Sequence, residues 1–195
     1  MRKSEYIRIG AFLLIFFIAI ALAYQLLKPP VKLKIHSPAD LKPELVDSSV
    51  QNAGKKHRIA GFELINQDGD TVTQKRFENV IYVADFFFTT CRSICPKMST
   101  QMQRVYEEFK DDDQIMLLSH TVFPEIDSVP VLAEYAKKYN AGSDKWMLVT
   151  GDKKHIYELA RKSYFAVTTE GAGGEDDFIH TENFILIDKE KRITV

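Results

Sequence analysis

The chain has no excess of either charge. Across 195 residues, Lys+Arg 26 stand against Asp+Glu 27, for a formal net charge of −1. That balance argues against a nucleic-acid binder, which carries a basic face. Internal repeats and low-complexity tracts are lacking, and so are a nucleotide site, a phosphate loop and a pattern for a dinuclear metal cluster. Cysteine is nearly absent. The only two are Cys91 and Cys95, with three residues between them, at the end of an apolar run.

Charge is also missing from one long stretch, Ile9 to Leu27. Its length is about that needed to cross a bilayer. Arg2, Lys3 and Arg8 precede it, and Tyr24 and Gln25 sit where an interface would suit them. A buried core helix is disfavoured because the segment is terminal and apolar all round. Two readings remain, a retained signal anchor and a signal peptide cleaved after Ala21-Leu22-Ala23. The anchor is preferred because Leu26 and Leu27 continue the run past that point. Lys28, Lys32 and Lys34 match the near-side cations, so charge does not orient the segment. A long domain behind an N-terminal apolar segment is usually exported. The expectation is therefore a single pass through the inner (cytoplasmic) membrane, residues 1–27, with the functional domain on the periplasmic, extracytoplasmic side.

Residues 28–56 hold Pro29, Pro30, Pro38 and Pro43 among polar residues, and read as an extended spacer. From residue 57 the pattern is that of one domain. Two β-like runs around Asp68-Gly69 signal a hairpin. "NVIYVADFFF" is an apolar run rich in β-formers, as in a central strand covered on both faces. After Pro96 the chain turns helical, with Met98, Met102, Val105 and Phe109 at three- and four-residue steps. "QIMLLSHTV", "VPVLAEYAKKY", "KWMLVT" and "DKKHIYELARKSY" then alternate strand and helix. Such alternation predicts an α/β fold on a parallel-type sheet. A Gly- and acid-rich stretch follows, and "TENFILIDKEKRITV" reads as two antiparallel strands around Lys189-Glu190.

The cysteines fall between the end of a central strand and the start of a helix, where open α/β sheets place their sites. A helix N-terminus favours thiolates. The pair could be small core residues or a structural disulfide. It could be a redox pair, since an exported compartment permits disulfides and vicinal thiols exchange readily. It could also be a metal site, since two thiolates and an imidazole suit copper, Cu(I) above all. Spacing does not separate the last two readings, so the third ligand discriminates. His36 and His57 fall in or at the end of the spacer and read as solvated. His155 reads as a surface residue. His120 ends a strand and reads as packed or hydrogen-bonded. His180, between the Gly-rich loop and an apolar strand, is the best-placed candidate ligand.

These residues resemble the Sco/SenC family, membrane-anchored thioredoxin-like copper chaperones for cytochrome c oxidase. The likeness rests on "DFFFTTCRSICPKM" and "HTENFILIDKEKRI", with support from "WMLVTGD" and "FELINQDGDTVT". It implies a thioredoxin-like three-layer fold over residues 57–195, with an N-terminal β-hairpin, joined to the transmembrane helix. It implies that Cys91, Cys95 and His180 bind copper, Cu(I) or Cu(II), for delivery to the CuA-bearing subunit of cytochrome c oxidase. A copper donor protein or a thiol-disulfide reductase would be a further partner. Oxidation of Cys91 and Cys95 to a redox-active disulfide would remove both thiolate ligands, which couples metal loading to redox state.

Two departures accompany the likeness. Many members carry Asp-Pro where this chain has Phe123-Pro124, although Asp127 remains; members also usually continue through another strand and a terminal helix. Asp85, on the strand leading into the motif, either tunes the thiols from behind or is a buried, hydrogen-bonded Asp. Met98 and Met102 read as core. Glu175, Asp176 and Asp177 read as a solvated loop, and Asp111 to Asp113 as a polar helix end. The expected function is a copper-binding assembly factor and not a turnover enzyme. The main alternative is a membrane-anchored thiol-disulfide oxidoreductase in which Cys91 attacks and Cys95 resolves. A thioredoxin-like peroxidase is a third reading, with only Arg92 adjacent to serve as its activating cation.

Overall fold

A computed structural model describes residues 3–27, 57–167, 178–179 and 181–194. His36, the spacer, Glu175 to Asp177 and His180 lie outside the described residues. The chain divides into two units, Met1–Leu33 and Lys34–Val195.

The first unit contains α1, a 25-residue helix over Lys3–Leu27. Its side chains are described without a break over residues 8–24, and all of these are exposed. Among the described residues, no helix is long and apolar enough to cross a membrane.

The second unit is built on one seven-stranded sheet in the order β2-β1-β5-β4-β3-β6-β7. β1 (Glu63–Asn66) and β2 (Thr71–Thr73) form the expected antiparallel hairpin. Asn66 makes the turn, its side-chain oxygen accepting from the N–H groups of Asp68 and Asp70 at 3.0 and 2.8 Å. Gly69 takes a φ of 87° there, a conformation glycine adopts without strain. β3 (Ile81–Phe87), β4 (Ile115–Thr121) and β5 (Trp146–Thr150) are parallel. They are joined by α2 (Cys95–Phe109) and α3 (Val129–Lys138). α4 (Lys153–Glu158) begins under an N-cap, Asp152, whose side chain accepts from His155 N–H at 2.8 Å. It runs into a π-helical turn, Leu159–Ser163, which replaces the second half of the helix read from the sequence. β6 (Ile185–Ile187) and β7 (Ile193–Thr194) form a second antiparallel pair.

The parallel-type sheet expected from strand–helix alternation is therefore a mixed one. Helical crossovers link only β3, β4 and β5; the flanking pairs are hairpins, whose tight turns force antiparallel pairing. β1 joins β5 and β6 joins β3 in antiparallel sense.

Apolar side chains cover both faces of the sheet, giving three layers. One core gathers Tyr82, Ala84 and Phe86 with Leu118, Val149, Ile156 and Tyr164. The other gathers Phe87, Leu117, Trp146 and Leu148 with Met102, Leu132, Cys91 and Cys95. Period-two alternation along β3 and β4 explains the partition. The second core lies under α2 and α3, so the cysteines sit on that side of the sheet.

Candidate metal centre

β3 ends at Phe87 and α2 begins at Cys95. The seven-residue loop between them leaves the sheet at the carboxyl end of its parallel strands, the usual place for a site in an open α/β sheet. Pro96 occupies the first helical turn, where its missing N–H leaves no ladder bond broken. Both cysteines are free thiols. Cys91 is 8% exposed and Cys95 3%, so the pair stands at the boundary between core and surface.

The first turn of α2 presents its unpaired N–H groups to the loop. Cys95 N–H donates to Cys91 Sγ at 3.4 Å, and the Ser93 hydroxyl lies 3.7 Å from the same sulfur. Burial by itself would raise the Cys91 thiol, but hydrogen bonds from Cys95 and Ser93 outweigh it and bring the group down to about 7. Cys95 goes the other way. Burial, then the neighbouring Cys91 and the charge of Asp85, push it up to about 12. One sulfur is thus poised as a thiolate near neutrality while the other keeps its proton until something displaces it.

Asp85 shares the face of Val83 and Phe87 by strand alternation. It pairs in register with Ser119, which accepts from the Trp146 indole N–H at 2.9 Å. Burial raises its carboxyl to about 7, and the Ser119 hydroxyl offsets only part of that. Its Oδ1 has no partner among the described residues. Its charge is the smallest of the influences that raise Cys95.

The other histidines separate cleanly. His120 lies one register step from Asp85, but on the opposite face, stacked on Phe86 at 4.8 Å between ring centroids and flanked by Tyr164 at 5.2 Å. Neither ring nitrogen meets hydrogen-bond geometry with a described residue. Burial pushes it down to about 3, against a smaller influence of the Asp85 backbone. It is a packed core residue and faces away from the sulfurs. His57 corrects the reading of a solvated spacer residue: its Nε2 donates to Ser163 O at 2.8 Å and its ring lies 4.5 Å from that of Phe165. Met98 and Met102 are buried, Met102 within the cysteine-side core, as their helical spacing predicts. Arg92, the cation that the peroxidase reading would use, is exposed. Near the thiol loop, Phe178 packs edge-on against Phe88 at 5.0 Å and against Phe123 at 5.7 Å.

The environment of Asp127 leaves no signal in the sequence. This side chain is fully buried and accepts from Thr89 in the cysteine loop and from Thr121 at the end of β4. Thr89 and Asp127 are 38 residues apart, and no local pattern announces their contact. Among the described residues, no cluster of three or more His, Cys, Asp or Glu side chains could hold a metal ion. The two thiols alone supply soft, anionic donors of the kind that favour Cu(I) and other thiophilic ions.

Comparison with known proteins bears on this geometry. The family model described as SCO1/SenC matches residues 50–195. The SCO1 protein homolog of Bacillus subtilis (strain 168) is 31% identical over 139 residues, spanning 70% of this chain and 72% of that protein. The structure of BsSco, described as a member of the Sco family of cytochrome c oxidase assembly proteins with a disulfide switch, superposes with a TM-score of 0.60. It is 30% identical, over 71% of this chain and 81% of that one. Copper-bound ScoI of Arabidopsis thaliana superposes with a TM-score of 0.55 at 26% identity, over 69% of this chain and 83% of that one. The three-layer architecture is the thioredoxin-like one those proteins share. With the mixed sheet, the dithiol at the head of α2 and a family match reaching from residue 50 to residue 195 in agreement, the chain belongs to the SCO1/SenC family.

Proposed function

We propose that this protein is a membrane-anchored copper-binding chaperone that serves assembly of the CuA centre of cytochrome c oxidase, and that Cys91, Cys95 and His180 hold the metal as cargo. The observation that carries the reading is the free dithiol at the head of α2, with Cys95 N–H donating to Cys91 Sγ at 3.4 Å. Two thiolates satisfy the ligand preference of Cu(I) and leave room for a third donor. His180 is that donor in this reading, brought from outside the strand–loop–helix unit that carries the sulfurs. A partner can then compete for the imidazole without displacing both thiolates. Loading requires Cys95 to lose its proton, so uptake releases protons and weakens as pH falls.

Anchoring belongs to the same proposal. The charge-free run from Ile9 to Leu27 lies within α1, and in the sequence its length is about that needed to cross a bilayer. Large apolar side chains such as Phe12, Ile15 and Phe17 are exposed along it, 64% or more each, and such a surface needs an apolar partner. The dithiol would then work on the far side of that membrane, facing the CuA-bearing subunit.

The deciding experiment is an anaerobic Cu(I) titration of the fully reduced chain in detergent against a competing chelator. One tightly bound copper per chain, lost in Cys91→Ser and in Cys95→Ser and weakened in His180→Ala, is the expected result. Weak or non-stoichiometric binding by the folded, reduced protein would overturn the reading.

The split between the two thiols favours a second reading, thiol-disulfide exchange. Here the Cys91 thiolate attacks one sulfur of a partner disulfide, and the partner's other sulfur leaves as a thiolate. Cys95 then loses its proton and attacks Cys91 Sγ, releasing the partner's second thiolate and leaving the Cys91–Cys95 disulfide. Two electrons pass to the partner. His180→Ala separates the readings, since exchange does not need the imidazole.

A further inference from the structure

The loop carrying Cys91 is held near its start by a carboxyl from the next β–α connection. Its entry is fixed where Val122 N–H donates to Phe87 O at 2.8 Å, and its exit where Met98 N–H donates to Ile94 O at 3.0 Å. Between these points Thr89 continues past the end of β3. The chain that would pair with it in a longer β4 has already turned away through Phe123-Pro124. Asp127 supplies the missing acceptor: it takes the Thr89 N–H at 3.1 Å, the Thr89 hydroxyl, and the Thr121 hydroxyl. Thr121 Oγ1 accepts in turn from Phe123 N–H at 2.9 Å, and Asp127 N–H donates to Phe123 O at 2.9 Å. The carboxyl is 0% exposed, and these partners are hydroxyls and amides, not a cation. A buried carboxyl leaves such a site only at the cost of several unmade hydrogen bonds, so the clamp is stiff.

We propose that Asp127 is a positioning residue for the dithiol: through Thr89 it holds the Thr89–Ser93 segment so that the Cys91 sulfur stands against Cys95 N–H at the first turn of α2. Thr89 lies two residues before Cys91, inside the turn that Cys91 N–H closes by donating to Phe88 O at 3.3 Å, and beyond that turn the next fixed point is the helix. Releasing Thr89 frees the start of that turn, so the Cys91 sulfur is no longer held against Cys95 N–H at 3.4 Å. The dithiol form then loses that N–H···S contact, and the balance moves toward the disulfide. This inference rests on the dithiol being the working site, but its readout needs no copper.

The test is the equilibrium of the full chain in detergent with glutathione. In it the dithiol plus one glutathione disulfide gives the Cys91–Cys95 disulfide plus two glutathione thiols. Asp127→Ala is expected to shift the constant toward the protein disulfide by about tenfold, equivalent to about 30 mV. Asp127→Asn, which keeps the shape and one acceptor oxygen, should recover part of the shift. A purely structural Asp127 would lower the melting temperature and leave the folded protein's constant at the wild-type value; that result overturns the proposal. Should Asp127→Ala fail to fold, Thr89→Val removes one hydroxyl bond and should move the constant in the same direction by less. A wild-type constant in folded Thr89→Val would equally overturn it. The two readings fail separately. Absent Cu(I) binding with a shifted constant removes the copper function and keeps the clamp, whereas normal Cu(I) binding with an unmoved constant does the reverse.

Discussion

His120 and Asp85 stand one register step apart on adjacent strands, and both are fully buried, yet they face opposite sides of the same sheet. On one side the imidazole is packed among the rings of Phe62, Phe86 and Tyr164. Burial there holds it neutral, and no thiol belongs to that core. On the other side the carboxyl shares a face with the core that contains both cysteines, and its charge bears on Cys95. A buried titratable group is therefore not by itself a functional one. The surroundings that shift each group are similar in kind, and what differs is whether reactive atoms lie within reach of its charge.

The strongest way to sharpen that contrast is to remove the sulfurs. Cys91→Ser and Cys95→Ser should each lower Cu(I) affinity by more than about a hundredfold, since changes to groups merely supporting a metal ligand already cost about ten- to a hundredfold. His120→Phe should leave affinity unchanged. Competition titration with a Cu(I) chelator measures both. A large loss of affinity in His120→Phe, with the fold intact, would break the comparison.

A second contrast concerns pH. Folded Asp85 keeps its proton up to about pH 7, whereas its ordinary value is 3.8. Between these values the folded chain binds more protons than the unfolded one, so this group's contribution to stability is fully present at low pH and is lost as pH rises through about 7. Folded His120 stays neutral down to about pH 3, against an ordinary value of 6.5. Its contribution is present above 6.5 and is lost as pH falls. Each shift corresponds to roughly 4 to 5 kcal/mol, and between about pH 4 and 6.5 the two slopes oppose each other. Asp85→Asn should therefore make stability rise with pH across that window more steeply than in wild type, by about 1.4 kcal/mol per pH unit. His120→Phe should shift the slope by a similar amount in the other direction. Urea midpoints taken at several pH values read both; parallel profiles for wild type and the two variants would overturn the account.

The sequence shows the groups of this comparison but not their separation. The β3 apolar run, the α2 stripe and the turns at Asp68-Gly69 and Lys189-Glu190 are local signals, and each produced the expected element. Pairing direction is not local, and the flanking strands proved antiparallel. Asp85 was legible only as a residue of the strand leading into the motif; which face met the thiols depended on where α2 packs. His57 looked solvated because its partner, Ser163, lies 106 residues away. Asp127 was visible as a residue and invisible as a clamp for the same reason. The cysteine pair was the most legible part of the site, since its spacing and its position between strand and helix are both written in one short segment.

The smallest effect is expected at Met102, and it tests whether the cysteine side of the sheet contains a hidden thioether ligand. Met102 is 0% exposed in the core that includes Cys91, Cys95, Leu132 and Trp146. Its side chain is thus close enough in the fold to raise the question, while its helical spacing answers it as packing. Met102→Leu keeps a similar volume and removes the sulfur, a swap that usually costs less than about 1.5 kcal/mol. Cu(I) affinity should stay at the wild-type value while thermal stability falls slightly. If affinity dropped by tenfold or more with stability intact, the packing role would fail and the metal's donor set would extend past the loop into the helix. An unchanged affinity places the boundary of the site at the first turn of α2, where the N–H groups end and the hydrocarbon core begins.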